Sequence, residues 1–287
     1  MTKIQRSIVL GISDPHCGYE LGLTNPETRL TDHHGVSYQI PDLSESQNYI
    51  WDVYTAGLDS VQVLAGRDPI HLFLMGDITH GMKIMEQQTS TRLSDQVIYA
   101  LSALEPAYRL KNVASSRMAF GTGVHVFGQG SSEIIISEML RDRFPKINTR
   151  ALYHGLADIG GFTIDYAHHG PNPGRMNWTK SDSPRNYLKS KMMDDLDAGC
   201  VPAHLVTRGH FHSYVKTWYG LSRMGKWYES WLVVMPPLCL PGDYTRKATS
   251  STYRVSPGIV AFEIINGRLH DVHPFTRTLD MRTVETL

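Results

Sequence analysis

The chain has 287 residues, 41% of them hydrophobic and 20% charged, and its formal net charge is zero. Such a composition suits a globular protein with a sizeable core, and a neutral chain carries no global field to gather a polyanion, which argues against extended binding to a duplex. The three cysteines, Cys17, Cys200 and Cys239, are odd in number and widely spaced, so no disulfide framework is implied.

The first strand is expected over about Ile4 to Ile12 and delivers Ser13-Asp14-Pro15-His16 into a loop. The N-terminus enters this strand without a signal-peptide core. Residues 17–41 carry Gly18, Gly22, Pro26, Gly35 and Pro41 without periodicity, a long connection of the kind that borders functional sites. Asp42-Leu43-Ser44-Glu45 resembles a capping box, and Ile50, Tyr54, Leu58 and Val61 mark the buried face of a helix that stops near Gly66. Next comes Leu72-Phe73-Leu74-Met75, a run that reads as a strand buried on both faces, ending at Gly76-Asp77. This β-loop-helix-β unit favours parallel pairing.

A helical region follows from about Leu93 to Val113, interrupted at Pro106. Arg117 to Val126 reads as a strand containing Gly121-Thr122-Gly123-Val124-His125. Ser131 or Ser132 then caps a helix with Glu133 in its first turn and Ile135, Met139 and Leu140 inside. Beyond residue 150 the pattern turns to β. Ala151 to Leu156 and Phe162 to Ala167, separated by Gly160-Gly161, form a hairpin that feeds His168-His169-Gly170. A basic insertion occupies about residues 171–199, with Arg175, Lys180, Arg185, Lys189 and Lys191 near its start and a helix opened by Ser183-Pro184. His204 to Arg208 is a short strand ending in Gly209-His210-Phe211-His212, and strands near 214–219, 226–235, 259–265 and 269–272 complete the chain. The longest apolar run, near Trp231 to Leu240, is broken by Pro236 and Pro237 and is too short to span a bilayer. A soluble, cytoplasmic protein with no domain linker is expected, one domain over residues 1–287.

A carboxylate at the end of a buried strand is costly unless a cation or partner meets it. Asp-x-His puts two metal-ligand side chains on one tight turn, and His-x-His puts two imidazoles on one side of an extended segment. Four such motifs at strand ends, in order along the chain, point to a bimetallic site with Asp77 at its centre.

In these motifs (Asp14-Pro15-His16, Gly76-Asp77 with Gly81 following, His168-His169-Gly170 and Gly209-His210-Phe211-His212) the chain resembles the calcineurin-like metallophosphoesterases. Ser-Asp-x-His-x-Gly near the start is similar to the phage-type branch, and the strand-end His with Gly-His-x-His is similar to the DNA-repair nuclease branch. The resemblance implies an α/β (α+β) fold, a two-sheet sandwich flanked by helices. One departure stands out. Where the family has Gly-Asn-His-Glu or Gly-Asn-His-Asp, this chain has Gly121-Thr122-Gly123-Val124-His125.

Carried over motif by motif, the resemblance implies a first metal held by Asp14, His16, Asp77 and His212. A second would be held by Asp77, His168 and His210, with Thr122 or water completing its shell. Of the doublet, His168 is preferred as the ligand because it leaves the strand first, and His169 becomes a phosphate contact. Arg175 joins it as a candidate substrate-binding residue. Two cations about 3.5–4 Å apart would clamp the phosphoryl oxygens and generate a bridging hydroxide for in-line attack. His125 or water would protonate the leaving oxygen. Oxygen and imidazole donors suit manganese or iron, with zinc or nickel also accommodated. The function implied is that of a phosphoesterase favouring diesters. The alternatives are a DNA nuclease, whose basic insertion would grip a strand of nucleic acid, and a non-catalytic descendant that binds a partner or nucleotide.

Overall fold

The structure is a computed structural model that describes residues 5–84, 87–174, 176, 178–242 and 253–285. In chain order the elements are β1 (Arg6–Ile12), β2 (Arg29–Thr31), β3 (Ser37–Gln39), α1 (Glu45–Ala65), β4 (Ile70–Leu74), α2 (Leu93–Tyr108), β5 (Val113–Ala119) and α3 (Ser131–Arg143). There follow β6 (Asn148–Leu152), β7 (His154–Ile159), β8 (Phe162–Ala167), α4 (Asp182–Asp197), β9 (Leu205–Arg208), β10 (Val215–Arg223) and β11 (Lys226–Val234). The chain closes with β12 (Arg254–Val255), β13 (Gly258–Ile265), β14 (Arg268–Thr276) and β15 (Leu279–Asp280).

Two main sheets form, ordered β14-β13-β1-β4-β5-β6 and β10-β11-β9-β8-β7. Neighbouring strands from β1 to β6 in the first sheet are parallel, as the β-loop-helix-β reading requires, and β13 joins β1 antiparallel. In the second sheet β8, β9 and β11 run parallel, while β7 and β10 pair antiparallel at its edges.

Alternation along the strands builds the layers. On β1, Val9 faces the second sheet, whereas Ile8, Leu10 and Ile12 face the helices. Phe73 and Phe262 join Val9 between the sheets, where they meet Phe162, Ile164, Tyr166, Leu205 and Val233. Ile50, Tyr54, Leu58 and Val61 of α1 cover the outer face of the first sheet together with Leu101 and Leu104 of α2 and Ile136 and Leu140 of α3. Leu188 and Met192 of α4 cover the second sheet over Val206, Leu232 and Val234. The fold is therefore an α/β sandwich of two sheets flanked by helices. Residues such as Leu10 and Val206 are apolar on both faces of a strand because both faces are covered.

Several local expectations shift. The capping box at Ser44 closes on Gln47, which reaches back to the Ser44 amide. The α2 helix ends at Tyr108, two residues past Pro106, so β5 begins as early as Val113. β5 also ends at Ala119, earlier than the pattern implied. Gly121 to Val126 is a turn in which the amides of His125 and Val126 both bond Thr122 O. In α3 the inward face is Glu133, Ile136 and Leu140, while Ile135 and Met139 are exposed. The connection at 17–41 contains the small β2–β3 hairpin. The β-rich second half does not form one sheet, because β6, β13 and β14 all belong to the first. Among the described residues, no helix is long and apolar enough to cross a membrane.

Candidate metal centre

The C-terminal ends of β1, β4, β5, β8 and β9 converge at one rim of the sandwich and carry the singled-out side chains. Main-chain bonds hold their loops together. The amides of His16 and Cys17 donate to the carbonyls of Asp77 and Ile78, and the Gly209 amide donates to His168 O. Leu238, past the end of β11, donates to Ser13 O. The turns are tight enough to force unusual backbone. Asp14, His16, Asp77, His210 and His212 have φ of 52°, 43°, 50°, 74° and 48°. Left-handed conformations cost non-glycine residues energy and persist where the surroundings over-determine them. Only eight non-glycine residues with positive φ occur among the described residues, so five of them at one site mark it as the strained part of the backbone.

Asp14 and Asp77 are 0% and 1% exposed. His168 Nε2 lies 3.0 Å from Asp77 Oδ2 and 4.0 Å from Asp14 Oδ1. His212 Nε2 lies 3.3 Å from Asp14 Oδ1 and 3.3 Å from His16 Nε2. Among the described residues, four sets of donor atoms are close enough to share an ion: Asp14, His16 and Asp77; Asp77, His168 and His210; His16, His212 and Cys239; and His16, His80 and His125. Asp77 belongs to the first two. Close approach of the main chain at Gly121 makes this possible, since a Cβ there would overlap the Asp77 carboxylate. A Cβ at Gly209 would similarly crowd Ser13 and Asp14.

The electrostatics are those of a buried cluster of opposite charges. Burial raises both carboxyls. The neighbouring imidazoles, His212 at Asp14 and His168 at Asp77, outweigh that and hold both well below the usual carboxylate range. Burial opposes charge on His168 too, but Asp77 raises it to about 9. Burial also opposes charge on His212, which Cys239 and Asp14 nevertheless hold well above its ordinary value. Burial takes His16 far down, helped by His125, and takes His210 down to about 4, helped by His168. His16 Nδ1 is a buried atom without a hydrogen-bond partner, and Asp14 Oδ1 and His168 Nε2 are met only by the carboxylate–imidazole pairs above, outside hydrogen-bond geometry. Unsatisfied buried polar atoms are rare. With hard oxygen and imidazole donors around them, these residues fit divalent cations.

The other expected residues fall into place around this cluster. His168 points inward and its Nδ1 is 2.5 Å from Met75 O, whereas His169 is exposed with its ring 4.7 Å from that of His210. The doublet is thereby divided: His168 faces the carboxylates and His169 faces outward. Thr122 reaches the site through Asp77, its amide 2.5 Å from Oδ1 and its hydroxyl 3.0 Å from both carboxylate oxygens. His125 Nδ1 donates to His80 O at 2.8 Å, and its ring lies 4.3 Å from that of His16. Arg175 lies outside the described residues.

Four residues of the site escaped the sequence reading. His80 is 3% exposed, stacks on Tyr19 and is brought down to about 4 by burial and His125. Cys239 Sγ lies 3.7 Å from His212 Nδ1. The Ser13 hydroxyl donates to Asp14. Glu133, fully buried, accepts from the Gly121 amide, and burial lifts its carboxyl to about 7. A Ser directly before the Asp, and a Glu opening a helix after a Gly-rich turn, were the available signals. Nothing in the spacing of Cys239 marked it.

No family model matches the chain, and no curated protein matches it either.

Proposed function

We propose that the chain is a metal-dependent phosphoesterase acting on phosphodiesters. The observation that supports this most strongly is the shared carboxylate: Asp77 stands in one donor group with Asp14 and His16 and in another with His168 and His210. Asp14, His16, Asp77 and His212 would hold one cation, and Asp77, His168 and His210 the other. Manganese or iron suits these donors, and zinc or nickel is also accommodated. Cations bound there would neutralise phosphoryl oxygens and lower the pKa of a water towards neutrality.

The chain's own residues have separate tasks. Thr122 donates two hydrogen bonds to Asp77 and fixes the orientation of the shared carboxylate. His80 O accepts from His125 Nδ1 and so leaves Nε2 as the atom that can pass a proton to a leaving oxygen. His169, exposed beside His210, is placed to meet a phosphoryl oxygen from the solvent side.

The basic insertion supports small esters more than a nucleic-acid strand. Lys191 turns inward to Asp165 and Asp195, at 3.1 Å and 3.6 Å, and Lys189 lies over the Tyr219 ring. The decisive experiment measures bound metal and hydrolysis of bis(p-nitrophenyl) phosphate with manganese, iron, zinc and nickel in turn. Turnover that requires one of these ions is expected. Bound metal with no turnover under any of them would replace this reading with that of a binding protein.

A further inference from the structure

A cavity of about 140 Å³ opens beside His168 and His169. It lies where the chain crosses from β6 in the first sheet to β7 in the second. Six of its eight lining residues carry flat rings, among them Phe120, Tyr153, His154 and Tyr187. Tyr153 stands 70% exposed at the mouth.

Arg208, 1% exposed, lines the cavity from β9. Its guanidinium pairs with Asp165 at 2.6 Å and donates to the Tyr187 hydroxyl at 3.1 Å, which holds that ring in place. Asp165 also takes Lys191 at 3.1 Å and His154 at 2.9 Å. The ionic groups here are thus spent on one another, and among the described residues the cavity presents neither a free anion nor a free cation. Arg208 Nε remains a buried donor without a partner.

We propose that this cavity seats a single six-membered aromatic ring carried by the phosphate ester, a pyrimidine base or an aryl group, while the phosphoryl group lies against His168 and His169. The proposal rests on the phosphoesterase reading for its phosphoryl end. Size favours a single ring: an enclosed cavity of about 150 Å³ accepts benzene, so one six-membered ring fills this one and a fused purine extends out of its mouth. Chemistry selects neutrality and flatness, because ring walls favour stacking and the charges at the floor are already paired.

The test is a binding comparison on the metal-loaded protein, by calorimetry, with methyl phosphate, phenyl phosphate, thymidine 5′-monophosphate and adenosine 5′-monophosphate. Phenyl phosphate and the thymidine nucleotide should bind roughly 10-fold tighter than methyl phosphate, and the adenosine nucleotide should gain less. Thymidine above phenyl identifies a nucleotide as the source of the ring, and the reverse order identifies an aryl ester. Tyr153→Ala, at an exposed position that the fold does not depend on, should bring the ring-bearing ligands to the affinity of methyl phosphate. Equal affinities for methyl and phenyl phosphate, or an unaltered ring advantage in Tyr153→Ala and Phe120→Ala alike, would overturn the proposal. Hydrolysis of bis(p-nitrophenyl) phosphate is measured on the same sample. Its absence beside intact ring selectivity sinks the esterase reading and leaves the cavity, whereas turnover without ring selectivity does the opposite.

Discussion

Raising the pH of a metal titration from 7 to 9 should tighten metal binding to the stripped protein by a calculable factor. A histidine must be neutral to serve as a ligand. In the metal-free protein Asp77 holds His168 at about 9, against the opposing effect of burial. At pH 7 an incoming cation must therefore displace a proton from it. For that group alone the apparent affinity scales as 1/(1 + 10^(pKa − pH)), which gives a gain of about 50-fold over the two pH units. His212, also held well above its ordinary value, adds a second displaced proton and steepens the dependence. His16 and His210 are already neutral in this range, because burial with their neighbours lowers both, so they add nothing. Calorimetry with manganese under nitrogen, in buffers of different ionisation enthalpy, reads the affinity and the protons released together. Between one and two protons should appear per protein at pH 7, and fewer at pH 9. A flat affinity with no proton release would refute the assignment of His168 and His212 as carboxylate-paired ligands. The same shift has a stability sign. His168 is raised above its ordinary 6.5, so its contribution to the metal-free fold is full below pH 6.5 and is lost as pH rises through about 9. The stripped protein should accordingly melt lower at pH 9.5 than at pH 6.5.

Asp77→Asn should weaken metal retention by roughly 100-fold or more, since removing even an outer partner of a ligand costs 10–100-fold. Metal content after desalting and turnover would be read together, and two retained equivalents at a near-normal rate would remove Asp77 as the shared ligand. Gly121→Ala puts a Cβ onto the Asp77 carboxylate and backbone, so a loss of about 1–3 kcal/mol in urea unfolding is expected together with weaker metal binding. Phe262→Ala empties a fully buried position between the sheets and should cost about 3–5 kcal/mol in urea unfolding. Ser44→Ala breaks the capping box of α1 and should cost about 1 kcal/mol with metal affinity untouched.

The convergence of these Asp and His residues at one rim was legible because each combines a rare side-chain type with a strand end. Asp14, Asp77, His168 and His210 each come within three residues of the end of a buried strand, and that local pattern is enough to place them at one rim. The turn at Gly121 to Val126 was not legible. Val124 and Val126 favour a strand, but Asp77, distant in sequence, takes the Thr122 amide and bends the chain away from one. Helix α3 was misjudged by rotation for a similar reason. Its apolar residues Ile135 and Met139 look like core, yet the helix turns Glu133 inward to meet Gly121. His80 and Cys239 sit on loops, and their proximity to His125 and His212 depends wholly on tertiary contacts.

The central strand β1 pairs on one side with β4, the third strand after it, and on the other with β13, so that Arg6 lies opposite Ile265. On the ribosome these two edges are satisfied at very different times. The nascent chain can join β1 to β4 and cover them with α1 early in synthesis. The β13 edge stays bare until residues 258–265 have emerged, and loop closure over such a span is slow. An open edge of a hydrophobic strand is a template for pairing with another chain. Asp14 and Asp77, although translated early, are therefore seated on a sheet whose β1 edge closes late, and until then that edge can pair with another chain.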